Sequence, residues 1–304
     1  MNKNLFGLEK FGVEELVISI NIEDQGSKLI SYKTLVSEND ISEEYKTVLK
    51  TFANECKENT IMFENAYLYV CHIDDYIELY LLNNSKIVKG EFDRYILLYG
   101  NSCIDGGTFE GGIYLHDNSH IDNGMFNNDI TLYDKSFINN GFFNEMINLG
   151  DSSYINNGYF GYYIEMSDKS YINNGIFNDY IKMNDNSYIN NGIFNNHEWI
   201  EMNNSSHINN GIFNTKIILL DNSYINHGYF NKNIWNTASV ELFDNSYISN
   251  GRFNNEVILC ENSKIINAVF GDDCKVYLMA EDKNNKWVKD QATLDILKGR
   301  VQYE

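Results

Sequence analysis

A unit of 17 residues repeats through the middle of this chain, and this period constrains the fold more than any other feature. Self-similarity at a fixed period is typical of repeat architectures. Steps between the regular units are 17 residues, except for 19 after Asp185 and 23 after Asp221. A degenerate first unit starts at Glu64. The regular units begin at Asn83, Gly100, Asp117, Asp134, Asp151, Asp168, Asp185, Asn204, Asp221, Asp244 and Glu261.

Apolar residues recur at the same places in each unit. With Asp168 as position one of its unit, Ile172 is position five and Phe177 is position ten, and all eleven regular units carry Ile and Phe there. An apolar pair two residues apart follows, such as Ile181 and Met183. Alternation with a period of two, broken by polar corners, predicts three short strands per unit and no helix.

Ser at position three and Gly at position eight complete the pattern. Gly175 follows an Asn pair, and only Ala268 replaces the glycine of this position. We interpret it as a corner residue with positive φ.

These features predict a mainly β chain, a single-chain parallel β-solenoid of about 11 to 12 coils over residues 64–278. Each coil would lie about 4.8 Å from the next. One coil cannot bury its own Ile and Phe, so an isolated coil should be unfolded. Stacking converts each repeat position into a column along the solenoid.

Residues 1–63 predict a small α+β domain that caps the first coil. Leu16 to Ile22 and Lys28 to Val36 alternate as strands. Asp40 with Glu43 forms a capping box at the start of a helix with one apolar face. Such a cap would cover the open edge of the first coil.

Residues 279–304 predict a C-terminal cap. Trp287 and a short helix near Asp290 to Lys298, followed by Gly299, would cover the last coil.

Charge limits the partners. The chain has 304 residues, with 23 basic and 43 acidic side chains and a net charge of −20, which opposes binding to nucleic-acid phosphates and to anionic lipid. No apolar run approaches the roughly 20 residues of a membrane span, and Met1 to Val13 lacks the layout of a secretory signal. We therefore expect a cytoplasmic or virion location, without membrane or nucleic-acid partners.

The five cysteines have no CxxC spacing, which indicates reduced thiols and neither a disulfide framework nor a zinc site. We expect no metal and no cofactor. The cysteines are Cys56, Cys71, Cys103, Cys260 and Cys274.

Acidic residues fill position one in most coils. We interpret each, for example Asp134, as capping its own corner through the backbone N–H groups that follow it. A row of calcium ions is the alternative, although the unit lacks the Gly-rich ladder of calcium-binding solenoids. Asn pairs at positions six and seven predict amide ladders, and the column of Glu165, Lys182 and Glu201 alternates in sign.

Position nine is apolar, although it directly precedes the inward Phe of position ten and should therefore face outward. An exposed apolar stripe of this kind marks an interface. The alternative is that the glycine before it bends the chain and turns the residue inward. The stripe consists of Met125, Phe142, Tyr159, Ile176, Ile193, Ile212 and Tyr229.

Two insertions break the repeat between position ten and the third strand, and both bring a tryptophan. We predict an aromatic corner that binds a sugar ring or a partner protein, with aromatic stacking alone as the structural alternative. The corner consists of Tyr162, Tyr163, Tyr180, Trp199 and Trp235.

The Ser-x-Ile, Gly-x-Phe and Ile-x-Leu steps resemble those of the parallel β-helix superfamily over about two thirds of the chain. That superfamily includes phage and viral tail spikes, bacterial adhesins, and pectin-acting lyases and hydrolases. The resemblance implies a fold and no single activity. Its lyases pair calcium-binding carboxylates with a basic residue, and here arginine is limited to Arg94, Arg252 and Arg300.

We therefore expect no enzyme, no catalytic residue and no catalytic metal. The leading hypothesis is a non-enzymatic structural or interaction scaffold, a virion or appendage component that binds a protein partner or itself. Two alternatives remain: a carbohydrate-binding or polysaccharide-degrading β-helix protein, and an acidic DNA mimic that inhibits a DNA-binding protein.

Overall fold

The computed structural model describes the backbone of residues 17–20, 30–33, 60–64, 67–73, 78–195, 198–232, 239–272, 274–281, 287–291 and 301–302. It describes the side chains of residues 78–195, 198–232, 239–272 and 274–279. Over these ranges the chain is mainly β, a parallel β-solenoid of about 11 coils with a repeat of about 17 residues and without a helix. The predicted fold class is confirmed.

The chain divides into two compact units, Met1–Glu145 and Met146–Glu304. In each unit the coils contribute one strand to a long-strand sheet and one to a short-strand sheet. Parallel pairing joins like strands of successive coils with identical positions opposite each other, as for Ile172 and Ile189. The repeat is therefore in register.

In the first unit, the long-strand sheet consists of Tyr67–Ile73, Lys86–Phe92, Cys103–Ile104 with Gly107–Phe109, His120–Phe126 and Phe137–Phe143. The short-strand sheet consists of Ile30–Lys33, Val17–Ile20, Thr60–Glu64, Glu78–Leu82, Ile96–Leu98, Ile113–Leu115 and Ile130–Leu132.

In the second unit, the long-strand sheet consists of Tyr154–Phe160, Tyr171–Phe177, Tyr188–Phe194, His207–Phe213, Tyr224–Phe230, Tyr247–Phe253, Lys264–Ile266 with Ala268–Phe270, and Val301–Gln302. The short-strand sheet consists of Ile147–Leu149, Ile164–Met166, Ile181–Met183, Trp199–Met202, Lys216–Leu219, Ser239–Leu242, Glu256–Cys260, Val276–Glu281 and Trp287–Gln291.

Most coils contain two strands where three were predicted, because the first two predicted strands merge into one strand with a bend. The pairing register of Tyr171–Phe177 with Tyr188–Phe194 skips position six, Asn173. Ile172 and Phe177 are both fully buried, although side chains five residues apart leave a flat strand on opposite faces. The bend at position six therefore brings both residues into the core.

The core consists of the columns at positions five and ten and of the apolar pairs of the short strands, which are 0 to 2% exposed in the ten regular coils that begin at Asn83 through Asp244. Within the second unit, the Phe rings from Phe160 to Phe253 stack with centroids 4.5 to 4.9 Å apart. The rings of Phe109 and Phe126 in the first unit are 4.9 Å apart. The predicted continuous columns are confirmed within each unit.

The predicted role of glycine at position eight is wrong. Gly175 lies inside a strand, and among the described glycines only Gly100 has a positive φ. A Cβ atom on Gly175 would stand 2.5 Å from Cζ of Phe177 and 2.7 Å from Cε2 of Phe160. Glycine is therefore required because the Phe rings fill the space of a side chain.

Position one has a positive φ in each regular coil, with values of +50 to +59° at the acidic and Asn residues. Asp and Asn tolerate this region better than most residues. A partner that was not predicted binds the carboxylate: Oδ2 of Asp134 accepts a hydrogen bond from the backbone N–H of Asp117, in the preceding coil, at 3.0 Å. The acidic column thus joins coils to one another.

Ser at position three is buried and hydrogen-bonded. The hydroxyl of Ser136 donates to the carbonyl of Tyr133 at 2.7 Å and lies 3.2 Å from that of Leu115 in the preceding coil. Because a hydroxyl this small satisfies carbonyls at a tight turn, the constancy of Ser at this position has a structural cause.

The two ends agree with prediction in part. Val17–Ile20 and Ile30–Lys33 lie within the two predicted strands and pair antiparallel to each other, and Tyr67–Ile73 pairs in parallel with Lys86–Phe92, as expected of a degenerate first coil. The predicted helix from Asp40 lies outside the described residues. At the other end, Asp290 belongs to the strand Trp287–Gln291, antiparallel to Val276–Glu281, so no helix starts there; residues 292–298 lie outside the described residues.

Candidate interaction surfaces

The position-nine column faces outward in both units, so the alternative that these residues turn inward is wrong. Its seven predicted members are 39 to 60% exposed. They are Met125 and Phe142 in the first unit, and Tyr159, Ile176, Ile193, Ile212 and Tyr229 in the second.

A shallow groove of about 380 Å³ runs along this column in the second unit. Backbone of the position-eight glycines forms its floor. One wall is the position-nine column, including Ile193 and Ile212, and the other is the position-seven column, including Asn191 and Asn210. His227 and Tyr229 line one end. We call this the outer groove.

The polar wall of the outer groove is an amide ladder. The side-chain N–H of Asn191 donates to Oδ1 of Asn174, and that of Asn174 to Oδ1 of Asn157, both at 3.2 Å. A second ladder at position six has shorter hydrogen bonds: the side-chain N–H of Asn190 donates to Oδ1 of Asn173 at 2.6 Å. The predicted ladders are confirmed, and the amides are aligned by the stack itself.

The outer groove carries almost no charge. From Asn157 to Tyr229, positions seven, eight and nine of five coils hold no Asp, Glu, Lys or Arg, and His227 is the one basic side chain. In the following coil Arg252 takes position nine. This neutral face belongs to a chain whose net charge is −20.

The structure brings Tyr163, Tyr180 and Trp199 together on the short-strand side of the second unit, and Tyr162 precedes Tyr163 in the chain. The rings of Tyr163 and Tyr180 stack 5.2 Å apart, and Trp199 lies 5.2 Å from Tyr180 but tilted by 59°. Tyr162 and Trp199 are 49% and 38% exposed. Trp235 lies outside the described residues.

Carboxylates hold the hydroxyl groups of this aromatic corner. Tyr163 donates to Oε2 of Glu165 at 3.1 Å, and Tyr180 to Oε2 of Glu201 at 3.2 Å. Burial raises the pKa of Tyr163 to about 12, and the negative charge of Glu165 is the second cause. Burial also raises the pKa of Tyr180, with the negative charge of Glu201 as the second cause.

Lys182 lies between these acids in the same column, 3.5 Å from Oε1 of Glu165. The alternating row is therefore charge-compensated at this pair, as predicted. Both Glu165 and Glu201 are occupied as hydrogen-bond acceptors, which is typical of a structural role and leaves no free pair of acids at the corner.

Sequence reasoning missed an aromatic patch on the short-strand sheet of the first unit. Tyr95, Tyr114 and Tyr133 are each more than a third exposed, and the imidazole of His116 stacks 5.0 Å from the ring of Tyr133. The outward Tyr114 between Ile113 and Leu115 was the available signal.

A second pocket of about 380 Å³ in the first unit was also missed. It is lined by Asp93, Arg94, Tyr95, Glu110, Gly111, Gly112 and Asn128. Gly111 packs directly on the main chain of Arg94, where a Cβ atom would stand 2.1 Å from its carbonyl carbon. The lining contains both charge signs, which defines no single ligand class.

Several kinds of site have no counterpart in the described part of the chain. No group of three or more His, Cys, Asp and Glu side chains there is placed to hold a metal ion. Cys103, Cys260 and Cys274 are not in disulfide bonds, and burial raises the pKa of Cys274 to about 11. No helix in the ranges described reaches the length and hydropathy of a membrane span.

Comparisons with known proteins add no family. No family model, no curated protein and no solved structure matches the chain. The superfamily resemblance therefore rests on the architecture, a parallel β-solenoid with a repeat of about 17 residues.

Proposed function

We propose that this protein is a non-enzymatic scaffold that binds a protein through the position-nine column and the outer groove. The observation that carries the proposal is the exposure of an unbroken apolar column over five coils of the second unit, from Tyr159 to Tyr229. Isoleucine side chains in water cost free energy, which a partner recovers by covering them.

The composition of the face supports a protein partner. An apolar column beside polar amides resembles the apolar centre and polar rim of protein interfaces. Aligned Asn side chains offer donors and acceptors at a constant spacing, which a backbone or side-chain amide of a partner can use.

A virion or an appendage is the setting we propose. The support is the architecture, which tail spikes and adhesins share, together with long ladders that hold a surface rigid without a catalytic centre. A cluster of capsid or tail genes around the coding sequence would agree with this setting, and an isolated metabolic operon would oppose it.

The test places a photo-reactive diazirine amino acid at Ile193 in the cells that make the chain. Ile218, a half-buried outward residue of the short-strand sheet, is the matched control because it carries the same side chain on another face. Cross-links to a protein from position 193 and few from position 218 are expected. Equal yields from the two positions, or none from either, would overturn the proposed surface.

Carbohydrate binding at the aromatic corner is the second candidate. It is favoured by the exposure of Tyr162 and Trp199, since sugar rings stack on exposed aromatic rings. A glycan array with wild type and Trp199→Ala tests it. A glycan signal lost in the variant supports this candidate, while an array without signal, or one unchanged in the variant, removes it.

A further inference from the structure

We infer that the occupant of the outer groove is a second copy of this chain, related to the first by a two-fold axis parallel to the stacking direction. This inference rests on the proposed function and specifies its partner. Three features of the face lead to it: its period, its self-complementary shape and its lack of charge.

The period comes from the coils. Side chains along the position-nine column repeat at the spacing of parallel strands, about 4.8 Å. A partner with another spacing falls out of step within a few coils. A second copy has the same spacing, so each residue from Ile176 to Ile212 meets an equivalent neighbour along the whole face.

The shape of the face is self-complementary. The apolar ridge at position nine lies beside a groove floored by glycine backbone, with the amide ridge of Asn191 and its equivalents about 7 Å away. Rotation about an axis parallel to the stack places the ridge of each copy in the groove of the other. The two apolar ridges then lie adjacent at the centre, and the amide ladders form the two rims.

Charge selects this face for contact between copies. Two chains of charge −20 repel each other, and the repulsion is weakest where neither surface carries acids. Positions seven to nine from Asn157 to Tyr229 lack carboxylates. Screening by salt should therefore strengthen the association, the reverse of what an ion-paired interface shows.

The size of the face predicts weak binding. Five coils extend about 24 Å and two columns about 7 Å, less than the roughly 800 Å² per partner of a standard complex. We expect a dissociation constant above about 1 μM, which a high local concentration in an assembly would overcome.

Sedimentation equilibrium of the full chain over a concentration series tests the inference. We expect the mass to rise from 35.2 kDa toward twice that value, more readily at high salt. Ile193→Asp should weaken the association by about tenfold or more, since the substituted residue enters the interface twice. Ile218→Asp, on the short-strand sheet, should leave it unchanged.

Orientation is tested with Ile176→Cys and the thiol oxidant diamide. Two thiols form one disulfide, and diamide takes up their two electrons and two protons. A parallel pair brings together the thiols introduced at position 176 of the two copies, so a covalent dimer beyond the wild-type background is expected. Cross-linking only when Ile176→Cys is mixed with Ile212→Cys would overturn the parallel arrangement.

The outcomes separate this inference from the proposed function. A wild type that stays monomeric at every concentration, with photo-cross-links from position 193 to a different protein, overturns the second copy and leaves the scaffold intact. No cross-link from position 193 removes both. Circular dichroism and melting of Ile193→Asp verify its fold, and Ile193→Thr replaces it if the charge unfolds the chain.

Discussion

Gly175 and Phe177 share one space: a Cβ atom on the glycine would stand 2.5 Å from Cζ of the phenylalanine two residues later. The same relationship recurs at Gly192 and Phe194, at 2.6 Å. Where Ala268 takes the glycine position, Phe270 is tilted by 28° against Phe253 and is partly exposed. The glycine column therefore belongs to the core and not to the turns.

Gly192→Ala should destabilise the protein by about 1 to 3 kcal/mol, because the added methyl group overpacks the Phe column. In a strand without such a neighbour the same change stabilises by roughly 0.5 to 1 kcal/mol. The sign of the change in the free energy of unfolding therefore shows whether the Phe ring occupies the space of the added methyl group. Urea unfolding measures it. Ala268→Gly is the control and should be neutral or stabilising; a stabilising Gly192→Ala would contradict the packing.

Asp221→Ala should destabilise by about 1 to 3 kcal/mol, since it removes an acceptor and places alanine at positive φ. Asp221 has a φ of +57° and accepts a hydrogen bond from the N–H of Asn204 at 2.9 Å. Asp221→Asn keeps both features and should cost much less. Thermal unfolding of the three proteins checks this, and equal losses in the two variants would contradict the roles assigned to the acceptor oxygen and to the positive φ.

Alkaline pH should destabilise the fold through Tyr163. Burial raises its pKa to about 12, above the value near 10 of an unfolded chain, so the folded state holds the proton more tightly. The stabilisation is complete below pH 10 and is lost as pH rises toward 12. Tyr163→Phe should flatten the dependence of the melting temperature on pH in that window. A profile identical to wild type would contradict it.

Mild acid should destabilise the fold through His207. Burial lowers its pKa, and its ring stacks between those of Tyr188 and Tyr224 at 5.1 and 4.7 Å. As pH falls below about 6.5, the unfolded chain takes up the proton more readily and stability is lost. His207→Tyr, which continues the tyrosine column, should remove this part of the acid sensitivity. Melting curves from neutral to mildly acidic pH compare the two proteins.

Most of the fold could be predicted from the 17-residue period, because Ile and Phe at constant spacing are buried together when successive coils stack in register. The bend at position six was not predictable in the same manner, since alternation alone assigns Ile189 and Phe194 to opposite faces. Likewise, the positive φ at Asp168 could not be predicted from the sequence, because glycine is the usual marker of that conformation and Asp only tolerates it. Asp290 lies in a strand because Trp287–Gln291 pairs with Val276–Glu281, a tertiary contact that the local sequence does not indicate.

The candidate surfaces were predicted unevenly for the same reason. Residues of the outer column follow from the repeat, and Ile193 is exposed as expected. The outer groove is formed by the amide wall together with the exposed glycine backbone, and no single repeat position predicts this combination. At the aromatic corner Glu165 lies two residues after Tyr163 in the same coil, whereas Glu201, the partner of Tyr180, belongs to the next coil and comes close only through stacking.

The proposed interaction face depends most on the bend that turns Phe194 inward and leaves Ile193 outside. Single cysteines at positions 189, 191, 193 and 194 test it by their rates of reaction with a thiol reagent, measured against wild type. Fast labelling at 191 and 193 with protection at 189 and 194 is predicted. Protection at 193 with fast labelling at 194 would show a flat, alternating strand, and the proposed interaction face would not exist.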